Sequence, residues 1–227
     1  MVGVIGGMGP ATTVDYMQQI IKLSSANTDQ EHVPLCVWND PRIPDRSNAI
    51  LTNNTDKVSD YLISVAKRLE NNNCLFLTMP CNTAHYWAYD IKKSVKIPFI
   101  DMIEETIEKI NELGYKTLAL LSTKGTKQAK IYEKYANKYN IIVRYPNEIN
   151  MKKISDIIYK IKGGNYNKTQ CIIEINQILA NMGADCTVLG CTELSIIYKS
   201  SHNIFDPLNI LARKTIELWN NLVTNIK

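Results

Sequence analysis

Leu69-Glu70-Asn71-Asn72-Asn73-Cys74-Leu75-Phe76-Leu77-Thr78-Met79-Pro80-Cys81-Asn82-Thr83-Ala84-His85 is the stretch on which the fold reading turns. It leaves the end of an amphipathic segment, crosses the apolar run Cys74–Met79 and stops at a thiol followed by small amide and hydroxyl residues. The same succession recurs further on. A helical pattern ends at Leu179, the apolar run Cys186–Gly190 follows, and Cys191-Thr192-Glu193-Leu194 closes it. Leu69 to Cys81 and Leu179 to Cys191 span the same number of residues. A short apolar run bounded by turn residues reads as a buried strand, and a 3.6-residue period as a helix. Helix, strand, thiol and new helix start, twice over, indicate an α/β protein whose parallel strands carry reactive groups at their carboxyl ends.

Working outward, further strand candidates are Val2–Ile5, Leu35–Trp38, Pro98–Ile100, Thr117–Leu121, Ile141–Arg144 and Ile204–Asp206. Between them lie amphipathic stretches. Val58, Tyr61, Leu62, Val65, Ala66 and Leu69 share one helical face, and Cys171–Met182 repeats the pattern. Asp206-Pro207 reads as the cap and first residue of a last helix. Val2–Gly9 parallels Leu118–Gly125, and Phe99-Ile100-Asp101 parallels Ile204-Phe205-Asp206. The order of motifs therefore predicts two similar α/β half-domains. Each has a sheet of about four parallel strands flanked by helices, and the active site lies in the cleft between them. The first half covers 1–100, with the final helix, 207–227, packing back on it. The second covers 101–206. No Pro/Gly/Ser-rich linker separates them, so a tight interface is expected.

Composition narrows the function. A chain of 227 residues with 45% hydrophobic and 21% charged residues has the make-up of a soluble globular protein with a sizeable core. The net charge of +4 is modest and the charges are interspersed, so no nucleic-acid partner is expected. No apolar run approaches a membrane span, and Met1–Gly7 lacks the basic start of a signal peptide, so no membrane partner and a cytoplasmic location are expected. Six cysteines are too few for a disulfide scaffold at this length, which leaves them free as thiols.

A thiol at a strand end facing a helix start is placed to ionise easily. Two such thiols converging across a pseudo-twofold would meet one carbon from opposite faces. Stereoinversion needs that arrangement: one thiolate removes a proton, and the other thiol returns one. Backbone N–H groups after Cys81 and Cys191 suit a carboxylate. The side chains of Asn82, Thr83, Thr123 and Thr192 add hydrogen bonds. No lysine motif for pyridoxal stands out. The Gly6–Gly9 loop is not a dinucleotide fingerprint, because Pro10 breaks its register and Thr12 replaces the third glycine. Cys81 and His85 have metal-ligand spacing, but the second half offers no matching His. No cofactor and no metal are expected.

The segments Ile5–Thr12, Pro44–Ser47, Pro80–His85, Leu120–Thr126 and Gly190–Leu194 together resemble the aspartate/glutamate racemase superfamily, most closely its aspartate racemase branch. That resemblance implies two pseudosymmetric Rossmann-like α/β half-domains, a homodimer, and a small acidic amino acid, aspartate first, racemised without a cofactor. It implies that Cys81 and Cys191 are the two acid/base residues. It also implies that Met8, Asn82, Thr83, Thr123 and Thr192 surround the α-amino and α-carboxylate groups. Arg46 fits the cation that grips the side-chain carboxylate. Lys162, at the same offset from Arg46 as separates the two early loops, is the candidate second cation, with Lys160 as its rival. The glutamate racemase branch opens with an Asp-Ser-Gly loop and carries a His after its second Cys-Thr. This chain has Gly6-Gly7-Met8-Gly9 and Glu193 there. Glu193 either orients the substrate ammonium or tunes Cys191.

Plainer readings stand beside these. Cys36, Cys74, Cys171 and Cys186 lie in apolar settings and read as small core residues. Tyr132, Tyr135 and Tyr139 have helical spacing and read as packing. His85 tunes Cys81, caps a helix or simply packs. Glutamate, both acids, a hydantoin or malonate-like substrate, and a non-catalytic binding protein are the alternatives in function.

Overall fold

The computed structural model describes residues 1–198 and 201–224. Its first half runs β1 (Val2–Gly6), α1 (Pro10–Leu23), β2 (Leu35–Asn39), α2 (Arg46–Leu51), α3 (Asp56–Asn71), β3 (Phe76–Thr78) and α4 (Ala88–Ser94). Helix α5 (Met102–Glu112) leads into β4 (Thr117–Ser122), α6 (Lys124–Gln128), α7 (Glu133–Ala136), β5 (Ile142–Arg144), α8 (Glu148–Lys162), α9 (Lys168–Leu179), β6 (Cys186–Gly190), α10 (Thr192–Ile197) and β7 (Ile204–Phe205). Helix α11 (Pro207–Thr224) closes the described chain, and residues 225–227 of the expected last helix lie outside it.

All pairings between these strands are parallel. The first sheet has the order β2-β1-β3 and the second β5-β4-β6-β7, so the two halves share one winding order. The expected fourth strand of the first half is reduced to a bridge between Leu77 and Phe99. Leu77 N donates to Pro98 O and Ile100 N donates to Leu77 O. Pro98 has no N–H to extend the ladder, and Asp101 already caps α5 through Ile103 and Glu104. The equivalent β7 gains a second residue before Asp206 turns the chain.

Alternation along the strands sorts the core into three layers. Val2, Val4, Leu118, Leu120 and Val188 face a central core shared by both halves, filled by Tyr16, Ile103, Ile107, Leu208 and Leu211. Ile5 and Leu77 face outward against α3, through Leu62, Val65 and Leu69. Leu121 and Leu189 face outward against α8 and α9, through Ile154, Ile158 and Ile175. Helix α11 lies across α1 and α5. Tyr16 and Thr215 hydroxyls meet at 2.6 Å within that contact. Among the described residues, no helix is long and apolar enough to cross a membrane. The carboxyl ends of β1, β3, β4 and β6 all face the junction of the halves, which is where the loops carrying Met8, Cys81, Thr123 and Cys191 converge.

Candidate active site

One small chamber lies at that junction. Met8, Arg46, Cys81, Asn82, Thr83, Thr123, Lys162, Cys191, Thr192 and Glu193 all line it, joined by Asp45 and Ser47. Its volume is about 10 Å³, room for about one water molecule. An outer vestibule of about 300 Å³ opens from it, sharing Asp45, Arg46, Lys162 and Glu193. Apolar walls come from Pro10, Ala11, Pro41, Ile43, Ile161 and Ile196. Lys160 lies on the exposed side of α8 and lines neither space.

Local sequence explains each placement. Gly7 has φ +90°, and a Cβ there would come within 2.2 Å of Asp40 O, so only glycine folds the loop that presents Met8. Asp45 caps α2, accepting from Asn48 N at 2.7 Å, and so starts the helix at Arg46. The Arg46 guanidinium is buried, with Nη1 donating to Pro44 O at 3.1 Å and Nε left without a partner. The sequence motif Asp45-Arg46-Ser47 thus supplies three lining residues, of which the sequence reading singled out one.

Three hydroxyls stitch the halves together beneath the chamber. Thr83 Oγ1 lies 3.0 Å from both Thr123 Oγ1 and Thr126 Oγ1, and those two are 3.1 Å apart. Gly125 N donates to Ser47 Oγ at 2.9 Å across the same interface. Tyr132, read from its spacing as packing, reaches Asn82 Oδ1 with its hydroxyl. Asn82 Nδ2 is left buried and unpartnered. Tyr132 and Tyr135 do not share one long helix, because α7 is a single turn. Tyr135 donates instead to Asp101.

His85 belongs to the support of the site. Its Nδ1 contacts Cys81 O at 2.8 Å, and Met102 N donates to its Nε2 at 3.1 Å. Those partners require a neutral ring with the proton on Nδ1. Burial pushes its pKa below the usual value, against the opposing pull of Asp101.

The thiols depart from expectation. Both are buried, and burial pushes both above the ordinary thiol value, Cys191 most of all. The turn after Cys81 is a 3-10 turn and α10 has only six residues, so desolvation outweighs the helix-start effect. Arg46 is the first charge that opposes burial at Cys81. At Cys191 the Glu193 carboxylate adds to burial, with Lys162 opposing. Cys191 Sγ donates to Glu193 Oε2 at 2.9 Å, and Lys162 Nζ stands 3.8 Å from Glu193 Oε1. Burial pulls the Lys162 ammonium down, but the opposing charges, Glu193 first, hold it above its usual value.

Each parallel-sheet half thus delivers one buried thiol to a shared chamber that also holds Arg46 and Lys162. The sequence pattern of the family described as Asp/Glu/Hydantoin racemase matches residues 5–215, and the chain belongs to that family. It is similar to the Picrophilus torridus aspartate racemase, with 30% identity, a TM-score of 0.83 and coverage of 96% of this chain and 94% of that one. An aspartate racemase homologue from Pyrococcus horikoshii OT3 is 28% identical with a TM-score of 0.77, covering 96% and 98%. The broad specificity amino-acid racemase RacX of Bacillus subtilis (strain 168) is 26% identical over 96% of this chain and 98% of its own length. Racemisation, an isomerase reaction, is the activity class that membership gives.

Proposed function

We propose that this protein interconverts L- and D-aspartate by two-base proton transfer at the α-carbon, without a cofactor. The observation that carries the reading is the single chamber lined by Cys81, Cys191, Arg46 and Lys162 together. One thiolate removes the α-proton and the opposite thiol returns one. Arg46 and Lys162 hold the carboxylates, and their charge stabilises the developing carbanion in a site that excludes water. Asn82 Nδ2, with no partner among the described residues, is a donor for a substrate carboxylate. The aspartate racemase from Picrophilus torridus supports aspartate as substrate. A broader range is the second reading, favoured by the vestibule beyond Arg46 and by the broad specificity of the relative from Bacillus subtilis.

Proton NMR in deuterium oxide tests the reading on reduced enzyme. Loss of the α-proton signal from L- and D-aspartate, with formation of the enantiomer, is expected. Cys81→Ala and Cys191→Ala are each expected to abolish interconversion. Exchange with neutral amino acids as fast as with aspartate would move the conclusion to the broader reading. No exchange with any of them, nor with L- or D-glutamate, would remove the racemase reading. Arg46→Ala is expected to cost dicarboxylates at least about tenfold more in kcat/KM than neutral substrates, about 1.4 kcal/mol.

A further inference from the structure

The two thiols have unequal neighbours. Glu193 is 3% exposed, and its two oxygens differ. Oε2 accepts a hydrogen bond from Cys191 at 2.9 Å. Oε1 is buried without a hydrogen-bond partner among the described residues, with Lys162 Nζ at 3.8 Å. Cys81 has no carboxylate in hydrogen-bond contact, and the first charge acting on it is the Arg46 guanidinium. A thiolate at Cys191 would touch the Glu193 carboxylate, whereas a thiolate at Cys81 would meet the Arg46 cation first and feel Glu193 only outside hydrogen-bond contact. Two touching acids in a dry site do not both ionise readily.

We propose that Glu193 divides the labour between the thiols, holding Cys191 protonated in the empty site, so that Cys81 is the resting base and Cys191 the resting acid. The proposal rests on the two-thiol reading above. From that state the Cys81 thiolate takes the α-proton: the C–H bond breaks, an S–H bond forms and the electron pair stays on the α-carbon. Cys191 gives its proton to the opposite face: its S–H bond breaks and a C–H bond forms. The protein is left with a thiol at Cys81 and a thiolate at Cys191 beside Glu193, the costlier arrangement. Loss of a proton to water at Cys81 and gain of one at Cys191 restores the first. Glu193 acts through Cys191 and is a positioning residue.

The groups facing this pair are Lys162 from α8, Arg46 from α2 with Asp45 at its cap, Cys81, and the hydroxyls of Tyr132 and Tyr159. Enantiomers are equal in energy, so kcat/KM is the same in both directions in every variant, and directional bias is not the readout. The proton inventory is. Ultraviolet thiolate absorbance of the Cys81→Ser enzyme, with Cys81→Ser/Cys191→Ser subtracted, reads Cys191 alone and needs no turnover. Adding Glu193→Gln is expected to lower the Cys191 midpoint by about one pH unit or more. Adding Glu193→Asp, which keeps the charge but withdraws it from sulfur, is expected to give an intermediate midpoint. An unchanged or raised midpoint in either variant overturns the proposal, and the Asp variant decides if the Gln variant does not fold. α-Proton exchange without the shift removes only the role of Glu193. The shift without exchange removes the racemase reading, and the division of labour falls with it.

Discussion

The Tyr132 hydroxyl crosses from the second half to Asn82 Oδ1 in the first. Burial, first among several causes, pushes that phenol well above its ordinary pKa, so it stays protonated and donates. The bond holds the amide by Oδ1 and leaves Nδ2 unengaged among the described residues. Tyr132→Phe keeps the ring and removes only the hydroxyl. On the proposed reading the amide then loses its set orientation, and KM for aspartate rises about tenfold while kcat changes by less than about twofold. Unchanged KM would return Tyr132 to plain packing. Sequence spacing could not reveal this bond, because a buried tyrosine shows only its apolar body in a periodicity count. The same limit hid the true state of the thiols. Cys81-Asn82-Thr83 and Cys191-Thr192-Glu193 located the site, but how deeply each sulfur is buried, and that Glu193 folds back onto Cys191, are tertiary facts.

At the scale of elements, His85 ties the loop after β3 to the start of α5. It takes the Met102 N–H and contacts Cys81 O, so the ring positions the thiol-bearing backbone. Its folded pKa is lowered, so the unfolded chain binds its proton more readily. Stability is therefore full above the unfolded value of about 6.5 and declines as pH falls below it toward the folded value. Thermal melting of wild type should show that decline. His85→Phe should flatten it and lower Tm at neutral pH by roughly 5 °C or more, since two buried backbone groups lose a partner at about 1–3 kcal/mol each. An acid limb equally steep in the variant would assign the loss to other groups. The strands themselves were legible because apolar runs in a parallel sheet are nearly continuous. Pro98–Ile100 was the exception. Its residues have strand character, but Pro98 and the cap at Asp101 leave it one bridged residue, and neighbours of that kind are invisible to a propensity argument.

At the scale of the whole molecule, the pseudosymmetry read from motif order reappears as one winding order in both sheets, and its product is an interface with little spare room. A chamber of about 10 Å³ holds about one water, far less than a dicarboxylic amino acid. On the proposed reading the chamber must widen to take aspartate, and the contact of α2 with α6 across the halves is where we place that opening. Gly125 sits at that contact, and a Cβ there would lie 2.7 Å from Ser47 Cα, a backbone atom that cannot step aside. Gly125→Ala should hold the halves slightly open at a cost of about 1–3 kcal/mol in stability. Reaction of Cys81 and Cys191 with a small alkylating agent reports that opening, since both thiols are buried in the closed form. Wild type should be inactivated slowly and protected by saturating aspartate. The Gly125→Ala variant should be inactivated several-fold faster, with a raised KM because the chamber no longer closes fully on its ligand. Equal inactivation with and without aspartate would mean that the thiols do not share the substrate's chamber. Equal rates in wild type and variant would place the opening at some contact other than α2 and α6.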